Sequence, residues 1–103
     1  MVNAKTALLQ GLLDGEGFGL ELVDRISNKT NGRVQLGQGS TYPALRCLER
    51  EGLVKSTERL GPPERGGRPR VYYALTAKGR REALKEREAI AKLIGLPLPE
   101  KTS

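Results

Sequence analysis

Ten residues constrain the architecture more than any other stretch. Gly61-Pro62-Pro63-Glu64-Arg65-Gly66-Gly67-Arg68-Pro69-Arg70 holds three glycines, three prolines and three arginines, a composition that belongs to neither of the strands expected on its flanks. Those flanks, Leu53 to Leu60 and Val71 to Leu75, are rich in β-branched and aromatic residues. The spacing predicts an antiparallel hairpin with a long, exposed, basic tip, which is a wing. Within its second strand Tyr72 and Tyr73 are adjacent, so one faces the core and the other the surface.

Upstream, the apolar pattern is helical. Ala4, Ala7, Leu8, Gly11 and Leu12 recur at spacings of three and four, and Asp14-Gly15-Glu16-Gly17 breaks the run. A second helix is expected from about Phe18, burying Leu20, Leu22, Val23 and Ile26, turning Glu21, Asp24, Arg25 and Asn28 outward, and stopping at Thr30-Asn31-Gly32. Arg33 to Leu36 alternates polar and apolar, which fits one short extended segment that tucks Val34 and Leu36 inward. A third helix is expected from Gln38 to Glu51, with Pro43 close to its first turn and Gly52 closing it. Ala44, Leu45, Leu48 and Cys47 form its inward stripe, leaving Ser40, Thr41, Arg46, Glu49 and Arg50 nearer to solvent. After the hairpin, Thr76 can cap a charged helix over Ala77 to Ile94, whose Glu82, Glu86 and Glu88 can pair with Lys85, Arg87 and Lys92. Residues 95–103 carry two prolines without periodicity and read as a tail.

At 103 residues the chain has room for one domain, which excludes a two-domain enzyme. It has no apolar run of about 18 residues, and Met1 to Leu13 lacks the basic start and cleavage site of a secretory signal; the expectation is a soluble, cytoplasmic protein without membrane association. Cys47 has no partner for an intrachain disulfide, and without histidine neither a structural metal nor a catalytic base of the usual kind is expected. No Gly-x-Gly-x-x-Gly or phosphate-loop ending occurs, so neither an enzyme nor a cofactor is indicated. The formal charge is +6, yet residues 1–32 hold three basic against four acidic residues. The basic excess therefore lies downstream and favours arginine, whose planar fork suits phosphate and guanine.

Helix, helix, helix, basic hairpin, helix is the order of a winged helix-turn-helix. Its residues carry a resemblance as well. Gly39-Ser40-Thr41-Tyr42-Pro43-Ala44-Leu45, Leu48-Glu49-Arg50-Glu51-Gly52-Leu53-Val54 and Arg70-Val71-Tyr72-Tyr73-Ala74-Leu75-Thr76-Ala77-Lys78-Gly79, with Gly19-Leu20-Glu21-Leu22 upstream, resemble the PadR family of transcriptional regulators over roughly residues 6 to 82. The chain departs from the family pattern at Phe18 and Leu20, where His and Tyr are common, and at Gly37-Gln38, where Ser-Pro often opens the helix. DNA preference therefore does not carry over. The resemblance is to the shorter branch, with one terminal helix, and implies a mainly α fold with a small antiparallel hairpin: a winged helix-turn-helix DNA-binding domain over 1–80, a dimerising helix over 76–94 and a tail over 95–103.

What the resemblance implies is a homodimeric, sequence-specific regulator of double-stranded DNA, a repressor, recognising an inverted repeat. Dimerisation is expected through Leu84, Ile90, Leu93 and Ile94 with the first helix. Some members of the family also respond to a small aromatic ligand at the dimer interface; nothing in this sequence marks such a pocket. Candidate DNA contacts are Gln38, Ser40, Thr41, Tyr42 and Arg46 on the third helix and Arg65, Arg68 and Arg70 in the wing. Arg46 is the candidate for guanine, Ser40 and Thr41 for backbone, and Tyr42 for packing its ring while offering its hydroxyl. Arg50, near the helix end, is as ready to pair with Glu49 or Glu51. A solvated helix face and a flexible loop could carry the same residues, so two other classes stay open: a winged-helix module that binds a protein partner, and a nonspecific nucleic-acid binder dominated by the wing.

Overall fold

The computed structural model describes residues 3–95, and of Arg65 only the backbone. Helix α1 (Ala4–Gly11) starts where the Asn3 side chain accepts the Thr6 amide at 2.8 Å, and it tightens into a 3-10 turn over Leu12–Asp14. Gly15 follows at φ 133°, outside the range of residues with a side chain, and lets the chain turn into a two-residue strand, β1 (Gly17–Phe18). Helix α2 (Gly19–Lys29) begins immediately, with the Glu21 carboxylate accepting the Phe18 amide at 3.3 Å, and ends at Asn31 and Gly32, both at positive φ. Residues 33–37 form no strand, but Val34 and Leu36 are half-buried against the core as their alternation suggests.

Helix α3 (Gln38–Arg50) contains Pro43 beyond its first turn rather than close to it. Pro43 cannot donate to the Gly39 carbonyl, and both residues are exposed, so that carbonyl faces water instead of the interior. Strands β2 (Val54–Leu60) and β3 (Pro69–Leu75) are antiparallel, from Val54 opposite Leu75 to Leu60 opposite Pro69. Pro69 and Arg70 thus belong to the strand and not to the loop; proline is tolerated as the first residue of a strand, where its missing N–H interrupts no ladder. The tip itself is a 3-10 turn, Pro63–Arg65, closed by Gly66 at φ 85°. Strand β1 pairs with the other side of β3, through Gly17 with Tyr73 and Phe18 with Tyr72, giving the order β1-β3-β2. Helix α4 (Ala77–Leu93) is capped by the Thr76 hydroxyl, which accepts the Gly79 amide at 3.0 Å. Residues 96–103, most of the expected tail, lie outside the described residues.

The core is where these elements meet. Leu8 and Leu12 of the N-terminal helical segment, Leu22 of α2 and Leu45 and Leu48 of α3 are fully buried, joined by Val54 and Tyr73 from the sheet and Ala83 from α4. Burying a side chain of that size contributes about 1.5–3 kcal/mol, set against the chain entropy lost. The result is a mainly α winged helix-turn-helix with a small antiparallel sheet. Among the described residues no helix is long and apolar enough to cross a membrane.

Arg25 departs from its expected outward position. Its guanidinium reaches back and donates to the carbonyls of Gly11 at 3.0 Å, Gly15 at 2.7 Å and Glu16 at 3.0 Å, tying α2 to the connection that leaves α1. Leu20, expected on the apolar side, is instead 43% exposed. On α4, Lys85–Glu82 and Lys92–Glu88 pair as expected. Glu86 turns inward, accepting from Gln10 at 3.2 Å and Thr6 at 3.4 Å, while Arg87 donates to Gln10.

Candidate nucleic-acid interface

Helix α3 divides cleanly around its axis. Thr41, Ala44, Leu45 and Leu48 are buried, and the opposite stripe, Gly39, Pro43, Arg46 and Arg50, is exposed at the spacing of three and four that aligns side chains along one face. Among the described residues neither Arg46 nor Arg50 forms an ion pair, so two guanidinium groups one turn apart stand free for an anion. From the sequence, Arg50 is as ready to pair with Glu49 or Glu51 as to meet DNA. Glu49 instead accepts the Ser56 hydroxyl of β2 at 2.6 Å, and Glu51 takes Lys5 at 2.5 Å, which draws both acids away.

Thr41 does not lie on the exposed face. It is 1% exposed, and its hydroxyl donates to the Gly37 carbonyl at 2.8 Å, which satisfies the one polar group that burial would otherwise strand. The signal was present in the spacing: Thr41 precedes Ala44 by three, Leu45 by four and Leu48 by seven. Cys47, expected inside, is half-buried with its thiol donating to Glu51 at 3.1 Å. Gln38 and Ser40 are exposed at the start of the helix.

Tyr42 lies on the flank of the stripe that faces the wing. Its ring rests on the first residue of α2: a Cβ built on Gly19 falls 2.5 Å from the phenol oxygen and 2.8 Å from two ring carbons. Gly19 is therefore the residue that lets the phenol lie there. The two border a cleft of about 300 Å³ between the start of α2, α3 and β3, whose other walls include Leu20, Pro69, Arg70, Val71 and Tyr73. Tyr73 is the inward member of the tyrosine pair, and burial, with the Glu49 carboxylate and Tyr42 adding and Arg46 opposing, raises its hydroxyl above the ordinary pKa of 10.0.

The wing meets the body at Phe18 and Glu16, through a ring contact, a cation over a ring and an ion pair. Arg59 lies 4.2 Å from the centre of the Tyr72 ring and forms an ion pair with Glu16, while Tyr72 meets Phe18 edge-on at 5.5 Å. Arg70, opposite Arg59 in the ladder, is half-buried in the strand and lies 5.6 Å from the Phe18 ring centre, so it is not part of the mobile-looking tip that its sequence context suggested. Arg68 is exposed near the tip, and Arg65 lies in the tip turn with its side chain outside the described part. Leu84, Ile90 and Leu93 on α4 and Ile94 just after it are 48, 39, 85 and 60% exposed.

The profile of the PadR-like family of transcriptional regulators matches residues 8–85. The chain is 28% identical over 92 residues to an uncharacterized protein of Lysinibacillus sphaericus, spanning 86% of this chain and 82% of that one. Among solved structures it is similar to a transcriptional regulator from Clostridium thermocellum, at 28% identity, 88% of each chain and a TM-score of 0.68. It is also similar to a PadR family transcriptional regulator from Eggerthella lenta, at 28% identity, 87% of this chain, 72% of that chain and a TM-score of 0.68. The arginine-bearing face of α3, the wing and the capped start of α4 all fall within the matched residues, and the protein belongs to the PadR-like family of transcriptional regulators.

Proposed function

We propose that the protein is a homodimeric, sequence-specific double-stranded DNA-binding repressor acting in the cytoplasm. The observation that carries this reading is the unpaired Arg46–Arg50 stripe, on a helix whose opposite face is locked into the core and whose flank adjoins the wing. A helix so held can present side chains to a major groove without losing order on binding, and two copies related by a two-fold axis would read half-sites about 34–36 Å apart. Arg46 is assigned to a base edge, Arg50, Ser40 and Gln38 to positioning on the backbone, and Arg68 to phosphate beyond the half-site. The exposed apolar residues Leu84, Ile90, Leu93 and Ile94 are assigned to the dimer.

Selection of bound duplexes from a random pool at about 150 mM salt, near the physiological screening regime, tests the reading. Enrichment of one inverted repeat is expected, and retention of no duplex, or retention without enrichment, overturns it. Arg46→Ala should cost about 1–3 kcal/mol and relax preference at one base position, whereas Arg68→Ala should weaken all sequences alike. In the same assay Gly19→Ala, which displaces the Tyr42 phenol but leaves the core leucines in place, should lower affinity about tenfold, since a lost phosphate hydrogen bond to a charged acceptor amounts to about 1.5 kcal/mol. An unchanged affinity for that variant removes Tyr42 from the interface.

A further inference from the structure

Helix α4 is seated on α1 along a narrow seam with open space on both sides. A cleft of about 490 Å³ reaches Lys5, Glu51, Glu82 and Lys85 on one side, and an apolar cleft of about 210 Å³ reaches Ile26, Val34 and Ile90 on the other. Thr6 borders both, with Glu86 on the first and Gln10 and Arg87 on the second, so these four residues make the partition. Ala83 is fully buried in the seam, but packing along so thin a line sets a separation and not a direction. Direction comes from hydrogen bonds. Beyond the capped first turn, all those between α4 and the body, among the described residues, go to Thr6 or Gln10. The Gln10 amide nitrogen donates to the Ala83 carbonyl at 2.8 Å and to the Glu86 carboxylate at 3.2 Å, while its oxygen accepts from Arg87 at 3.1 Å.

We propose that Gln10 is a positioning residue for DNA reading: a latch that fixes how α4 leaves the body, and so how two joined protomers present their α3 helices together. The chemistry admits only an amide. Ala83 and Glu86 both offer oxygen and Arg87 offers N–H, so one side-chain group must donate twice and accept once. An ionised Glu has no donor, a Lys has no acceptor, and Asn is shorter by a methylene. The three partners lie at spacings of three and four, on one face of α4, so a single planar group holds its rotation as well as its direction. Leu84, Ile90 and Leu93, assigned to the dimer, are on the same helix, and the orientation set at Gln10 is passed to the partner copy. Joint engagement of two half-sites raises affinity by about 10²–10⁴, and only where both can be reached at once. A loosened α4 forfeits part of that gain while each half-site keeps its own contacts.

The inference rests on the reading of the protein as a homodimeric DNA-binding regulator and separates from it experimentally. Affinity of the full-length protein is measured by fluorescence anisotropy for the selected duplex and for the same duplex with one half-site scrambled. Gln10→Glu, which sets a carboxylate against the Ala83 carbonyl and Glu86, is expected to lose about tenfold on the full site and nothing on the single half-site. Gln10→Leu, close in size and uncharged, is expected to lose in the same direction, and decides the matter if thermal melting shows Gln10→Glu unfolded. Gln10→Glu/Glu86→Gln is expected to recover most of the loss, because the carboxylate at position 10 then accepts from the amide at position 86 and from Arg87. Equal losses on both duplexes, no loss on either, or no recovery in the double variant overturns the latch and leaves DNA binding intact. Spin labels at Asn28→Cys and Lys92→Cys, in a Cys47→Ser background diluted with unlabelled protein, read the latch without DNA. Their distance is expected to be single and narrow in the wild type and broad in Gln10→Glu, and equal narrowness in both overturns the latch. A wild type that binds no duplex overturns the DNA-binding reading, and with it the positioning role, whatever the labels show.

Discussion

Gly79→Ala destabilises the protein by about 3 kcal/mol, the upper end of what overpacking costs, although alanine is favoured over glycine by about 1 kcal/mol in a helix interior. The sign reverses because the space is taken. A Cβ on Gly79 overlaps the Leu53 carbonyl oxygen and falls 2.8 Å from the carbonyl carbon, and both atoms are backbone. That backbone has little freedom to retreat. Leu53 donates to the Leu48 carbonyl at 3.0 Å and accepts the Thr76 amide at 3.0 Å, while the Thr76 hydroxyl donates to Gly52 at 2.6 Å and accepts from Gly79. Relief of the clash therefore breaks either the end of α3 or the cap of α4. Urea denaturation monitored by circular dichroism should show the midpoint falling well below that of the wild type; an equal or higher midpoint contradicts the close approach of α4 to Leu53.

Affinity for the selected duplex falls about 10³-fold or more between 50 and 200 mM salt, as expected when a pair of protomers meets about six phosphates. Three cations per protomer are assigned to them: Arg50 on α3, and Arg65 and Arg68 in the wing. Four other cations add little to the slope, because they are engaged within the molecule. Lys29 pairs with Asp14, Arg59 with Glu16, Lys5 with Glu51, and Arg25 holds three carbonyls. A plot of log affinity against log salt with a slope near −5 agrees with this division of labour. A slope near −2 means that phosphates are barely touched and that the exposed arginines serve another partner.

Periodicity made most of the helical framework legible. The stripe Ala44, Leu45, Leu48 specifies how α3 packs, and Thr76 before a charged run specifies where α4 begins; both hold in the structure. Chemistry was the weaker guide to position. The Thr41 hydroxyl suggested exposure although its spacing marked the buried side, because a carbonyl one turn back makes a hydroxyl as tolerable inside as a methyl group. Spacing turns Arg25 outward, since nothing local reveals that loop carbonyls will lie beneath its guanidinium, just as nothing local places the Tyr72 ring beneath Arg59. Strand β1 is two residues long, too short for any alternation, and exists only because β3 offers it an edge. For the candidate site, sequence singles out Arg46 and the wing as candidates; placing Arg50 in the same exposed, unpaired stripe needs the knowledge that its acidic neighbours are drawn toward β2 and α1.

The junction around Leu53, Thr76 and Gly79 also fixes how motion passes through the molecule. Helix α4 has 17 residues and so extends about 26 Å from that junction. Its near end is fastened to the base of the hairpin and its far end carries Leu93 and Ile94. It is therefore a lever whose fulcrum lies beside the wing: a tilt of roughly 5° there displaces the far end by about 2 Å over that length. Where two copies meet through those far ends, the distance between their reading helices is set by the angle of this one lever, and anything that wedges α4 away from α1 alters the spacing of half-sites without touching a single arginine.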